Sequence, residues 1–334
     1  MRNITIDSTS PFLSVIIPCY NEEQVLLESY TRLSQVMQAN FQNYELIFIN
    51  DGSCDRTLSI LKKLALEDKC LKILSFSRNF GHQPAVSAGI KNCSGDLAII
   101  LDADLQDPPE LIPDMVNLYQ NSACNVVYAV RKRRAGETFF KKFTARLFYR
   151  TINKLSEVNL PLDTGDFRLI DRKVINAFNQ LPERNKYIRG LISWVGFKQV
   201  PFVYSRNERF AGTTKYPLWK MIKFARTSLL YFSHKPLQIA SSLGVVSVAI
   251  ALLLLLWVIY NNIFLPQSLV QGWSSTIIVV MFFGGIQMLT IGILGEYLSN
   301  VFDEIKKRPE YIIDEKLNLG NEIRQDMVYD AYPN

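Results

Sequence analysis

Residues 97–110 read LAIILDADLQDPPE. The apolar run 97–101 has the length and composition of a buried strand. It ends in two carboxylates one residue apart, Asp102 and Asp104, followed by Gln106, Asp107 and Pro108-Pro109. A strand cannot stay buried through that much charge, so the acids fall at its C-terminal edge. In an open α/β sheet that edge is where ligands bind. Strand alternation, if it persists through Asp104, turns both carboxylates to one side. Two hard oxygen ligands on one side suit Mg²⁺ or Mn²⁺ bridging to a diphosphate. Taken alone, the same D-x-D could equally be a solvated turn, so the decision rests on its neighbours.

Working outward, apolar runs at 12–17, 44–50, 71–76 and 125–130 read as strands, the first stopped by Pro18. Between them lie helical spacings at 22–40, with Asn21 as N-cap, at 55–68, after Gly81, and at 110–120. This alternation predicts an α/β fold with a mainly parallel sheet. After Val130 it loosens. A basic amphipathic helix is expected at 139–156, an extended segment at 164–170, a helix at 187–195 and a strand at 198–204. A further amphipathic helix is expected at 218–234, lying in a lipid headgroup plane or packing on the domain.

The late chain is unlike a soluble protein. Residues 237–263 and 273–298 are two nearly uninterrupted apolar runs, each beyond the ~20 residues that cross a bilayer. The loop between them, 261–272, has no Lys or Arg, whereas Lys215, Lys220, Lys223, Arg226 and Lys235 precede the first run and Lys306, Lys307 and Arg308 follow the second. The positive-inside rule then puts both ends in the cytoplasm. Trp257, Tyr260, Trp273 and Tyr297 sit near the run ends, as interfacial aromatics do. Residues 1–10 are short and polar, unlike a signal peptide. The expected order is a cytoplasmic domain at 1–217, a juxtamembrane helix at 218–235, two spans within 236–301 and a cytoplasmic tail at 302–334. The expected location is the cell inner (plasma) membrane.

The net charge of +6 is modest, but Arg131-Lys132-Arg133-Arg134 and Lys141-Lys142 are clustered. With spans attached, anionic lipid and phosphate substrates fit these clusters better than nucleic acid. The five cysteines are scattered, odd in number and without a C-x-x-C pair, the usage of a reducing compartment.

Three strand ends supply acids and small polar groups to one crevice: 18–22 (PCYNE), 50–55 (NDGSCD) and 102–106 (DADLQ). Such a crevice suits a nucleotide's base and ribose, with a metal on its diphosphate. Neither a G-x-x-x-x-G-K-[ST] loop nor a strand-anchored G-x-G-x-x-G is present, which sets aside P-loop NTPases and dinucleotide enzymes.

P-x-Y-N-E at 18–22, N-D-G-S-x-D-x-T at 50–57, D-x-D-x-Q at 102–106 and R-x-x-G-x-x-K at 209–215 together resemble the family 2 inverting glycosyltransferases. Within them the chain is most similar to the polyprenyl-phosphate glycosyltransferases, a resemblance running from residue 12 to about residue 307. The Q-x-x-R-W motif of processive polysaccharide synthases is absent.

The resemblance implies a GT-A fold. It assigns Pro18, Tyr20, Glu22 and Asp51 to the nucleoside pocket, and Asp102, Asp104 and Gln106 to the metal and sugar diphosphate. It assigns Arg131 and Arg168 to the lipid phosphate, and Arg209 and Lys215 to a loop closing over phosphates, with Gly212 permitting the movement. The expected activity is transfer of one sugar from a nucleotide donor to polyprenyl (undecaprenyl) phosphate. UDP-glucose is the leading donor; UDP-aminoarabinose, UDP-GlcNAc and GDP-mannose are alternatives. A non-catalytic membrane scaffold or flippase accessory subunit is the competing class.

A phosphate monoester acceptor, with a second pKa of about 6, is largely dianionic at neutral pH and needs no strong general base. This agrees with a chain that has two histidines, His82 and His234, both read as structural. Asp166, in T-G-D-F-R at 164–168, has two readings: it takes a proton or orients Arg168, or it is a turn residue paired with Arg168 or Arg172. The segment around Tyr311-Ile312-Ile313 is expected to add a strand to this domain or to a neighbouring subunit. A homo-oligomer is expected.

Overall fold

The computed structural model describes residues 11–131, 164–183, 186–204, 235–264 and 273–319. Its centre is β1 (Leu13–Cys19), β2 (Tyr44–Asn50) and β4 (Leu97–Ile100), all parallel, with β3 (Leu71–Phe76) beside β2. The sheet order is β7-β5-β6-β4-β1-β2-β3-β8. The outer strands are β5 (Val126–Arg131), β6 (Thr164–Asp171), β7 (Gln199–Tyr204) and β8 (Ile313–Leu317). Pairings β4–β6, β5–β6 and β3–β8 are antiparallel and the other four are parallel. The sheet is therefore mixed and mostly parallel.

Both faces of the central strands are covered, which is why they read as continuous apolar runs rather than alternating ones. Leu13, Val15, Ile17 and Phe48 pack with Leu26, Leu33 and Met37 of α1 (Leu26–Asn40) and Leu61 of α2 (Thr57–Glu67). The opposite face, with Ile16 and Ile49, receives α3 (His82–Asn92). There Gly89 lets the helix approach closely, since a Cβ on it would stand 2.2 Å from Ile16 Cγ2. A 3-10 turn (Pro109–Leu111) leads into α4 (Ile112–Ser122), and α5 (Arg172–Asn179) and α6 (Ile188–Trp194) follow β6.

Three details differ from the sequence reading. β1 runs through Pro18 to Cys19. Even-numbered residues of β1 face β4, as the bonds from Leu97 N to Phe12 O and from Leu101 N to Ile16 O show. Pairing with β4 ends at Ile16↔Ile100, so the N–H that Pro18 lacks has no ladder partner to lose. Asn21 does not cap α1, which starts later, after Val25. Asn21 instead takes a left-handed φ of 53° and binds the β2 loop. Finally, β4 ends at Ile100, and Asp102 and Asp104 lie in a turn. The alternation argument for their shared direction therefore lapses.

β8 adds to the sheet of this domain, antiparallel to β3. A second unit holds two long helices, α7 (Lys235–Phe264) and α8 (Trp273–Ile305), packed on each other. Within α8, the stretch Val279–Ile305 is long and apolar enough to cross a membrane, and among the described residues it alone is. α7 carries a shorter apolar stretch, Ala240–Leu254. Many apolar side chains on both helices are exposed, Val245 (71%) and Met288 (71%) among them. The basic helices expected at 139–156 and 218–234 lie outside the described residues.

Candidate functional site

The C-terminal ends of β2, β1 and β4 lie side by side, because β1 pairs with both of the others. Antiparallel β6 brings its first residues to the same edge. Its ladder with β4 runs to Ile100↔Arg168, and His82 Nε2 lies 2.9 Å from Asp166 Oδ2 and 3.8 Å from Asp102 Oδ1.

The loops after β1 and β2 are laced together. Asn21 N donates to Ser53 Oγ (3.0 Å), Cys54 N to Asn21 Oδ1 (2.8 Å), Glu22 N to Thr57 Oγ1 (2.9 Å) and Glu23 N to Asp55 Oδ2 (3.2 Å). Burial opposes the charge on Asp55, but bonds from Thr57 and from the Glu23 amide hold its carboxyl below the usual range. Tyr20 stands exposed at the rim and Pro18 is buried in β1.

Asp51 is buried, and its carboxylate holds the loop after β3. Phe80 N donates to Oδ1 (2.7 Å), while Gly81 N and Asn79 Nδ2 donate to Oδ2 (both 2.9 Å). Burial still leaves its pKa raised. Gly52, at φ 63°, lies under this loop: a Cβ there would stand 2.2 Å from the carbonyl carbon of Arg78. The sequence reading drew nothing from residues 78–81 (RNFG), although they shape the crevice wall.

On the β4 side, Asp102 is 30% exposed at its side chain. Burial, together with Asp166, Asp107 and Asp104, outweighs His82 and pushes its carboxyl up to about 6. Asp104 Oδ1 accepts from Gln106 N (3.1 Å), closing a tight turn in which Gln106 is buried and Leu105 has φ 59°. Tyr204 at the end of β7 donates to Asp107 Oδ1 and anchors that turn.

Asp166 is buried and pairs with neither arginine expected of it. Arg189 of α6 grips it, Nε on Oδ1 (2.6 Å) and Nη2 on Oδ2 (3.1 Å), and His82 Nε2 donates to Oδ2 (2.9 Å). Burial would raise the Asp166 carboxyl, but Arg189 and His82 hold it well below the usual carboxylate range. His82 also stands 3.8 Å from Asp102 Oδ1. Burial alone would lower its pKa; the bond to Asp166 and the field of Asp102 lift it to about 9. His82, read from the sequence as structural, stands between the two carboxylates.

Arg168 is buried, donates from Nη2 to Gly165 O (3.1 Å) and has a buried Nε without a hydrogen-bond partner among the described residues. Burial, only partly offset by Asp166, pulls its pKa down to about 10. Arg131 ends β5. Arg209, Gly212 and Lys215 lie outside the described residues.

Among the described residues no group of three or more His, Cys, Asp or Glu could hold a metal ion alone. The donor set nevertheless fits a hard cation completed by phosphate oxygens. Burial first, and then the neighbouring acids Asp166, Asp107 and Asp104, raise the Asp102 carboxyl, and a cation beside it would offset both. Asp102 and Asp104 would hold the ion, with Gln106 beside them.

Residues 14–178 match the family Glycosyl transferase family 2. The chain is 48% identical to the glycosyltransferase YkcC of Bacillus subtilis over 308 residues, covering 92% of this chain and 95% of that one. It is 40% identical to a prophage bactoprenol glucosyl transferase homolog of Escherichia coli, covering 90% and 98%. Among solved structures it is similar to a mannosyltransferase of Pyrobaculum calidifontis, PcManGT, in complex with GDP-Man and Mn²⁺, at TM-score 0.43 and 16% identity, covering 87% and 88%. With a mixed, mostly parallel sheet carrying acids at its C-terminal edge, and identities of this size along nearly its whole length, the chain belongs to the enzymes of glycosyl transferase family 2.

Proposed function

We propose that this protein is a membrane-bound inverting glucosyltransferase that moves one glucose from UDP-glucose to the phosphate of a polyprenyl phosphate. One observation carries the reading: the acids Asp102 and Asp104, which follow β4, and the buried arginine Arg168 of β6, paired with Ile100 at the end of β4, lie at one sheet edge. Relatives named bactoprenol glucosyl transferase, 38–40% identical and matched over at least 90% of this chain, support the glucosyl donor and the lipid acceptor. The exposed apolar stretch Val279–Ile305 supports membrane association, and we extend it to two spans within 236–301.

The chemistry asked of the chain is charge management. A bound Mg²⁺ or Mn²⁺ supplies charge neutralisation at the leaving nucleoside diphosphate. Asp102 and Asp104 would hold that ion, and the laced loops at 18–22 and 50–57 would form the nucleoside pocket. Arg168 Nε, buried without a partner, is a donor suited to one oxygen of the acceptor phosphate. The attacking phosphate is already anionic. Orientation and electrostatic stabilisation therefore provide the rate, and Arg131, Arg209 and Lys215 supply the remaining positive charge.

The test uses purified full-length protein, undecaprenyl phosphate, Mn²⁺ or Mg²⁺, and labelled UDP-glucose, UDP-GlcNAc or GDP-mannose. The expected result is EDTA-sensitive label entering the lipid phase from UDP-glucose. Transfer from another donor overturns the sugar assignment. Absence of both turnover and donor binding favours a scaffold. The double variant Asp102→Asn/Asp104→Asn should fold yet lose metal-dependent transfer; full retained activity would overturn the metal assignment.

A further inference from the structure

We propose that Arg189 is a positioning residue of this site: it fixes Asp166, and through Asp166 the His82 side chain, in the place that orients Asp102. The inference rests on the functional reading above for the identity of the donor. The contacts themselves form a continuous chain of alternating charge. Arg189 binds both oxygens of Asp166; the second of these also receives His82 Nε2 at 2.9 Å; the same nitrogen lies 3.8 Å from Asp102.

The geometry is held from two further directions. Ile188 N, the residue before Arg189, donates to Gln83 Oε1, the residue after His82, at 2.9 Å. The N-terminal ends of α3 and α6 are thereby clamped by adjacent pairs of residues. The β4–β6 ladder, which runs to Ile100↔Arg168, brings the segments that carry Asp102 and Asp166 to the same sheet edge. A two-point guanidinium grip fixes a carboxylate in orientation as well as position, and Asp166 is buried where water cannot replace it.

Asp166 therefore has a defined task. Both of its oxygens are engaged by cationic partners, so it acts as a fixed anion rather than as a base taking a proton from the acceptor. Arg189 belongs to none of the motifs at 18–22, 50–57, 102–106 or 209–215, and its hydrogen bonds to Asp166 link it to His82 and Asp102.

The experiment is a double-mutant cycle on the full-length protein: Arg189→Gln, Asp166→Asn, both together, and Arg189→Lys. The first readout is calorimetric binding of UDP-glucose as a function of Mn²⁺ concentration, without acceptor. Each single variant is expected to weaken Mn²⁺-dependent binding by roughly 10- to 100-fold, the usual effect of losing a group that orients a metal ligand. The double variant should be no worse than Asp166→Asn alone, because Arg189 acts through Asp166. Arg189→Lys should recover part of the loss, since charge remains and the two-point grip does not.

The second readout is transfer, where the singles should lower kcat more than the KM for undecaprenyl phosphate. Losses that multiply in the double variant, or Arg189→Gln binding like the wild type, would overturn the proposal. Should Arg189→Gln melt early, the same cycle is read from Arg189→Lys and Asp166→Asn/Arg189→Lys. A wild type that binds Mn²⁺ and UDP-glucose but makes no lipid product refutes the functional reading alone, and the binding cycle still decides the role of Arg189.

Discussion

Asp51 and Gly52 show how much of the crevice depends on single atoms. The carboxylate of Asp51 gathers the loop at residues 79–81 through three donors, and Gly52 leaves room for the preceding residue, Arg78. Gly52→Ala introduces both a left-handed φ for a residue with a Cβ, costing about 1–3 kcal/mol, and a backbone collision. The expected outcome is a lower Tm and loss of UDP-glucose binding, measured by thermal melting and calorimetry; unchanged binding would show that the loop does not shape the pocket. The acids of this crevice were legible in the sequence because D-G-S and D-x-D end apolar runs. His82 and Arg189 were not, because their partner Asp166 is 84 and 23 residues away. Only the antiparallel register of β6 on β4 brings that partner to the site.

At the scale of elements, strand positions followed from apolar runs, and β3 (Leu71–Phe76) matches its sequence expectation end to end. The details that sequence could not give depend on neighbours. Pro18 is tolerated inside β1 because β4 stops short, and Asp104 leaves strand geometry because the chain turns at once. β8 is the element most open to test. Its flank Glu310 is largely buried, accepts from Ser87 Oγ (3.0 Å) and has a second, buried oxygen without a partner. Burial pushes its carboxyl up to about 7 from an ordinary 4.5, against the pull of Lys186, Ser87 and Lys91. A raised folded-state pKa means that the contribution to stability is complete below 4.5 and lost as pH rises through about 7. The wild type should therefore show this loss between about pH 4.5 and 7, and Glu310→Gln should flatten that part of a Tm-against-pH curve; parallel curves would refute the assignment. On the other side of β8, Asn318 Nδ2 lies within bonding distance of the carbonyls of Ala65 (2.8 Å), Leu71 (2.9 Å) and Asp68 (3.3 Å). Asn318→Ala leaves the end of α2 without this donor and should cost about 1–2 kcal/mol in denaturant unfolding.

For the whole molecule, the strand order assigns β8 to the outer edge of β3, although β8 follows α7 and α8 in the chain. A chain ending at residue 308 lacks that strand and presents the open edge of β3, a template for pairing with other chains. Such a truncation should aggregate or elute as large species in detergent, whereas adding a peptide spanning 309–319 should restore a discrete peak; a discrete truncated protein would show that β8 is dispensable. The ribosome reaches Ile313–Leu317 only after making both long helices. Every newly made copy must therefore pass through an interval in which its sheet lacks β8. Completion of the described sheet on its β3 side is, on this topology, an event that waits for both long helices to be translated, timed by β8.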